Sequence, residues 1–363
     1  MSEKKVLKTM DGNEACATVA YHFTEVSAIF PITPSSPMSE KVDEWSAAGR
    51  KNMFGQPVTL IEMQSEGGAA GAIHGAAEAG ALATTFTSSQ GLLLMIPNLH
   101  IMAGHRMPAV FHVAARSVAT HANNIFGDHQ DVMDCRATGS CMMSTGSVQE
   151  VMDLAAIAHL TTVKSRVPFI HFFDGFRTSH EIQKIETIDL EQLSSLMDQE
   201  ALDAYHNIAM NPEHPLMRTT VQGPDVYYQS QEANNAMYEA IPGFVEEYMQ
   251  KINEITGRDY HIFNYYGAPD AERILVMMGS ACEAAREVVD YLNKRGEKVG
   301  MMQIHLYRPF DMQFFLNAMP KTVKKIAAMD RSKEPGAIGG PVYLDVCAAY
   351  TNTAGAPAVY SGM

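Results

Sequence analysis

The sequence predicts an α/β protein of two doubly wound, mostly parallel sheets, the second of them incomplete. Three observations carry that prediction. Short apolar runs at 26–30, 81–87, 107–113 and 167–173 alternate with stretches of helical period, as strands joined by crossover helices do. The alternation restarts at Arg273, with strands expected at 274–278, 299–304 and 325–329. Between the two lies a polar stretch, about 181–258, rich in Glu, Gln and Asn and broken by Pro212, Pro215 and Pro224. A chain of 363 residues is too long for one ordinary core. The expected division is 1–258, with the polar stretch as an excursion wrapping the surface, and 259–363. A strand only begins at 357–360, so the chain reads as the amino-terminal portion of something longer.

Taken in order, residues 12–23 form a first helix capped by Asp11 or Asn13. The strand at 26–30 gives way to the turn Pro31-Ile32-Thr33-Pro34-Ser35-Ser36-Pro37, which starts a helix with Ser35 or Ser36 as cap and Pro37 in its first turn. Thr33 thereby has its hydroxyl in a loop stiffened by prolines. Ile61 and Met63 mark a buried strand, closed by Gln64 and Ser65, and Glu66 stands at its carboxyl end. The helix after Glu66 has a shaved surface, because Gly67, Gly71, Gly75 and Ala79 share one face and Gly68, Ala72, Ala76 and Gly80 the next. Each helical glycine costs about 1 kcal/mol, so another helix or a cofactor is expected to approach that backbone closely.

The strand at 81–87 ends in Ser88-Ser89-Gln90-Gly91, where the next helix starts. The strand at 107–113 ends near Arg116, before a polar loop at 117–127; a helix at 147–163 and a buried strand at 167–173 lead to Asp174. Thr33, Glu66, Arg116 and Asp174 all fall at strand carboxyl ends, where ligands of parallel sheets sit. A helix at 233–255 is expected to be interrupted or kinked by Pro242, and 211–225 could cover the surface. In the second unit, 281–295 is a helix, 306–311 joins strand to helix, and Asp330-Arg331 precedes a loop at 332–340.

The net charge of −14 and pI near 5.4 argue against general nucleic-acid binding. No run of about 18 apolar residues and no signal-peptide core occurs, so neither a membrane span nor export is expected and the reading is cytoplasmic. The five cysteines are scattered, with no C-x-x-C pair, which disfavours disulfides, structural zinc and iron–sulfur ligation in this chain. Fourteen histidines, five of them between His100 and His129, match no metal-ligand spacing, so no metal site is expected. Phosphate-loop, G-x-S-x-G and G-x-G-x-x-G patterns are missing as well. Cys135 and Cys141 have no evident activating partner and read as buried hydrophobes. What remains is a hydroxyl, a carboxylate and an arginine. Glu66 is either a solvated residue before a packed helix or a carboxylate in a water-poor pocket whose pKa is raised. Arg116 is either a surface ion pair or a planar fork for an acidic substrate.

Four motifs in order resemble a known family: FPITPSSPMSE at 30–40, EMQSEGGAAGAIHGA at 62–76, VAARSVATHANNIFGDHQDVM at 113–133 and FFDGFRTSHE at 172–181. Together they look like the amino-terminal part of pyruvate:ferredoxin (flavodoxin) oxidoreductase of the long single-chain type. LYRPFD and DRSKEPGAIGGPVYLDV are similar to that enzyme's next domain. Phe30 stands where tyrosine is common in the family and Gly67 where alanine is common.

The resemblance implies a thiamine diphosphate pyrimidine-binding fold followed by a truncated transketolase carboxyl-terminal-like fold. It implies oxidative decarboxylation of pyruvate, or of another 2-oxoacid, to an acyl-coenzyme A, with electrons passed through iron–sulfur clusters to ferredoxin or flavodoxin. Glu66 would hydrogen-bond the cofactor's aminopyrimidine, Thr33 the substrate near its keto oxygen, and Arg116 the substrate carboxylate; Pro31, Ile32 and Gln90 would line the cofactor. No G-D-G…N segment is present, so diphosphate, Mg2+ and the clusters would belong to further domains of a homodimeric enzyme. The chain would hold half of a composite site and be inactive alone. The alternative is an association module without chemistry.

Overall fold

The computed structural model describes residues 6–213 and 215–363. The chain opens with β1 (Val6–Met10), α1 (Gly12–Phe23), β2 (Val26–Ile29), α2 (Ser36–Ala47), β3 (Thr59–Glu62), α3 (Glu66–Glu78), β4 (Ala83–Thr87) and α4 (Ser89–His105). It continues through β5 (Ala109–Ala115), α5 (Gln130–Asp134), β6 (Cys141–Thr145), α6 (Val148–Ser165), β7 (Phe169–Asp174), β8 (Gln183–Thr187), α7 (Leu190–Ser195), α8 (Gln199–Asn207), α9 (Pro224–Glu232) and α10 (Asn235–Thr256). The last third holds β9 (Phe263–Gly267), β10 (Arg273–Met277), α11 (Ala281–Asn293), β11 (Val299–Ile304), β12 (Leu306–Arg308), α12 (Met312–Ala318), β13 (Lys325–Met329), α13 (Pro341–Ala349) and β14 (Ala358–Gly362).

Two doubly wound sheets result, as the pattern of alternation predicts. The first has the order β12-β6-β7-β5-β4-β2-β3 and the second β14-β13-β10-β11-β9. In the first sheet every neighbouring pair from β6 to β3 is parallel, so β2, β4, β5 and β7 bring Ile29, Thr87, Ala115 and Asp174 to one edge. The central strands β4, β5 and β7 are buried along their whole length and read as continuous apolar or threonine-rich runs, as strands covered on both faces do. Helix α6 runs beneath them, packed on α1 and α10, with fifteen of its eighteen residues buried.

Local capping follows the sequence closely at α1, where the Asp11 side chain accepts from the Glu14 amide at 2.8 Å. At α2 the cap position is Ser35, but its hydroxyl turns back to donate to the Ile32 carbonyl at 2.7 Å instead of capping.

Several expectations are corrected. The strand before Glu66 is not buried: β3 is the outer edge of the sheet, and Ile61 is exposed. The stretch after 181 is more than a surface wrap. Its helix α10 runs unbroken past Pro242 and buries Ile241, Val245, Tyr248, Met249 and Ile252, so its apolar stripe completes a layer over α6. Residues 306–308 do not merely connect strand to helix; as β12 they pair antiparallel with β6 and extend the first sheet.

Strands β1 and β8, which pair antiparallel, and β6, β9 and α5 carry no signal read from the sequence. The core histidines are not independent either. His112 lies between His171, 2.9 Å away through Nδ1, and His159, 3.1 Å away through Nε2, and all three are buried. Burial pushes the pKa of His159 and of His171 down to about 3, leaving a neutral chain of imidazoles inside the sheet.

Candidate functional site

The site is built at the carboxyl edge of β2, β4 and β5. Beyond β2 the turn at 30–35 is fixed by its own carbonyl at Ile32, which accepts from the amides of Ser35 at 2.9 Å and Ser36 at 3.1 Å. The peptide bond between Thr33 and Pro34 is cis, and the Pro34 carbonyl accepts from Asn13 Nδ2 at 3.1 Å. Pro31 and Thr33 are exposed on this stiff turn and Ile32 is half-buried. The Thr33 carbonyl accepts a hydrogen bond from Arg116 Nη1, so two of the predicted residues, far apart in the chain, meet through the backbone of one and the side chain of the other.

Arg116 follows β5 and is 8% exposed, a degree of burial that excludes the surface ion pair. Burial lowers its pKa, opposed by Asp131 nearby. Its Nη1 is committed to Thr33, while Nε is buried and has no hydrogen-bond partner among the described residues. A buried guanidinium nitrogen with nothing to donate to is costly unless a ligand acceptor completes it.

Glu66 occupies the first turn of α3, whose cap is Ser65, accepting from the Gly68 amide at 3.1 Å. Glu66 is 7% exposed, and its carboxylate makes no hydrogen bond or ion pair with any described residue. It is seated against α4 at Gly91. A Cβ at that position would stand 2.8 Å from Glu66 Cγ and Oε1 and 2.7 Å from Thr87 Oγ1. Only glycine admits the carboxylate there. Thr87 Oγ1 is itself buried without a partner among the described residues.

Gln90 links this half to the Arg116 half. Its Oε1 accepts from the Ser89 hydroxyl at 2.5 Å, and the same hydroxyl faces the Ser117 carbonyl at 2.7 Å. Ser89 has a left-handed backbone, φ 52°, held by Asp131, whose Oδ2 accepts from the Ser89 amide at 2.7 Å and the Arg116 amide at 3.1 Å. Asp131 is fully buried, which pushes its carboxyl up to about 7 against the opposing pull of three backbone amides. Asp131, Ser89 and Gly91 are site-building residues that sequence reasoning passed over. The only visible signal was the small-polar run at a strand end, SSQG, and an aspartate inside a loop that looked merely polar.

The fourth rim group behaves differently. Asp174 does lie at the carboxyl edge, but its side chain is wholly buried and serves as a staple between the two sheets. It accepts from His129 Nε2 at 2.6 Å, from the Ser280 amide at 2.7 Å and from Arg331 Nη1 at 2.6 Å. Burial alone would raise its pKa; His129 and Arg331 outweigh that and hold the carboxyl well below its usual range. Cys135 and Cys141 are buried, and burial drives both thiols far up, away from nucleophilic use. Among the described residues no helix is long and apolar enough to cross a membrane.

Comparison with known proteins gives this arrangement a context. A family model described as pyruvate flavodoxin/ferredoxin oxidoreductase, thiamine diphosphate-binding, matches residues 18–250, and one described as pyruvate:ferredoxin oxidoreductase core domain II matches 271–362. A pyruvate-flavodoxin oxidoreductase of Enterobacter agglomerans is 59% identical over 98% of this chain, which spans 30% of that relative. A pyruvate:ferredoxin oxidoreductase of Moorella thermoacetica is 59% identical over 93% of the chain and 29% of the relative. The chain thus spans under a third of these relatives' length. A solved 2-oxoglutarate:ferredoxin oxidoreductase of Magnetococcus marinus, with 2-oxoglutarate, coenzyme A and succinyl-CoA bound, shares the fold at TM-score 0.70 and 18% identity, over 99% of this chain and 63% of that one.

Proposed function

Because the chain belongs to the pyruvate flavodoxin/ferredoxin oxidoreductase family, whose thiamine diphosphate-binding domain it contains, we propose that it is the amino-terminal part of an enzyme converting pyruvate and coenzyme A to acetyl-CoA and CO2. The two electrons released pass to ferredoxin or flavodoxin. The observation that carries this reading is Glu66: a buried residue whose carboxylate has no hydrogen-bond partner among the described residues, seated on a glycine where a Cβ would clash with it.

The donor and acceptor set fits an aminopyrimidine and a small keto acid. Thiamine diphosphate, when bound, supplies the carbanion chemistry that carboxyl loss from a 2-oxoacid requires. Glu66, seated against α4 at Gly91, would hold the ring nitrogen of the aminopyrimidine and share a proton with it. Pro31, Ile32 and Gln90 would line the cofactor beside it. Arg116, anchored through Nη1, would offer the rest of its guanidinium to the substrate carboxylate. Thr33 offers its hydroxyl to the keto oxygen from a turn that cannot move without breaking the Ile32 and Arg116 contacts.

Mg2+, diphosphate and iron–sulfur clusters fall to the remaining domains of the same polypeptide, and the assembly is a cytoplasmic homodimer divided here at about 258. A related 2-oxoacid is the neighbouring substrate, separable by a substrate panel. Replacing Glu66→Gln in the complete enzyme tests the reading. Loss of a positioned proton-transfer group costs about 10²–10⁴ in rate. Pyruvate-dependent viologen reduction is expected to fall by at least a hundredfold, and a variant with near-normal turnover refutes the assignment.

A further inference from the structure

The helix pair that carries Glu66 and Gly91 at its leading ends carries a second polar cluster at its trailing ends. His74 and Glu78 sit one turn apart on α3, and His105 is the last residue of α4. Glu78 Oε1 lies 3.2 Å from His74 Nε2 and 3.1 Å from His105 Nδ1. The three ligand atoms are all within 4.8 Å of one another. From this convergence we propose a binding site for one divalent transition-metal ion of the zinc class, with His74, Glu78 and His105 as protein ligands and water completing a four-coordinate shell.

The chemistry suits the ion. Two imidazoles and one carboxylate form a borderline-soft donor set of the kind zinc takes with an open position. The surroundings supply the outer contacts such ligands need. Glu78 Oε2 is held by Arg218 Nη1, which in turn donates through Nη2 to the Ile208 carbonyl at 2.9 Å, leaving Oε1 turned to the histidines. The Nε2 of His105 lies 3.3 Å from the Thr219 hydroxyl, so that side of the ring can donate its N–H there while Nδ1 offers its lone pair inward. Both histidine side chains are 19% exposed, enough for an ion and a water to reach them. Neither Glu78 nor the histidines take part in the site at the other end, which lies one helix length away, about 18 Å at 1.5 Å per residue. The ion would clip α3 to α4 and hold the register in which Glu66 meets Gly91.

The test is a titration of the purified protein, first stripped with chelator, with Co2+ at pH 7.5. One equivalent is expected to bind, with the visible absorption of a four-coordinate centre, displaced by Zn2+, and with a Tm that rises with the logarithm of metal concentration. His74→Ala and His105→Ala, each checked for native circular dichroism, are expected to weaken binding at least tenfold. Cys16→Ser, at the separate buried cluster of Cys16, His112 and His171, is expected to leave it unchanged. No bound cobalt, or cobalt whose affinity survives both histidine substitutions, overturns the proposal.

Discussion

Replacing Gly91→Ala tests the seat of the carboxylate with a single methyl group. The added Cβ would lie 2.8 Å from Glu66 Cγ and Oε1 and 2.7 Å from Thr87 Oγ1, distances that real Cβ atoms do not show. Thr87 is on a wholly buried strand and cannot retreat, whereas the glutamate can swing. To reach ordinary contact near 3.4 Å the carboxylate must withdraw by about 0.6 Å or more. A misplacement of about 1 Å at a reacting group can cost about 10²-fold, so turnover of the complete enzyme is expected to drop ten- to a hundredfold. Stability should change by about 2 kcal/mol or less. Overpacking costs about 1–3 kcal/mol, and exchanging a helical glycine for alanine returns about 1 kcal/mol. The measurements are pyruvate-dependent viologen reduction beside the melting temperature of the same preparation. A folded Gly91→Ala enzyme with wild-type turnover would show that the Glu66 seat is irrelevant to the chemistry.

Three further outcomes follow from other parts of the molecule. Arg116→Lys keeps the charge but loses the planar fork, and removing a charge-assisted hydrogen bond worth about 1.5–3 kcal/mol should raise the KM for pyruvate at least tenfold, read from steady-state kinetics of the complete enzyme. Asp174→Asn should destabilise the chain at neutral pH by about 3–5 kcal/mol, because it leaves Arg331 and His129 facing a neutral group. The folded pKa of Asp174 is depressed, so its stabilisation is fully present above the unfolded value of about 3.9 and fades as pH falls below it; thermal melts from pH 7 to 3 should show a shallower acid decline in the variant. Gly75→Leu addresses the open face of α3, where an added Cβ at Gly71 or Gly75 meets nothing within 4 Å. The melting temperature of the variant should stay the same or rise slightly, as a helical glycine gives way to a better helix former.

The rim positions of Thr33, Glu66 and Arg116 were legible because each follows a strand, and parallel topology alone puts such ends on one edge. What joins them was not legible. The Asp131 bridge and the Gly91 seat depend on atoms brought together from loops of irregular backbone, for which no periodicity exists. Asp174 misled for a related reason, since position at the rim does not say which way a side chain is claimed; Ser280 and Arg331, over a hundred residues later, claim it. Short strands such as β1 and β12, five and three residues long, offer too few alternations to stand out, and tertiary pairing decides them. Pro242 was overruled because the apolar stripe of α10 gains more from lying on α6 than one lost backbone bond costs.

The lending of β12 to the neighbouring sheet has a consequence for how the polypeptide can be divided. A protein cut at 258 would lack the three residues that cap Cys141–Thr145, baring an apolar outer strand ready to stick to its own copies. Evolution or the bench could split this gene there only if the two products were made together and re-knit across that seam. Swinging the halves apart during turnover would tear the same seam, so catalytic motion must be sought in other joints.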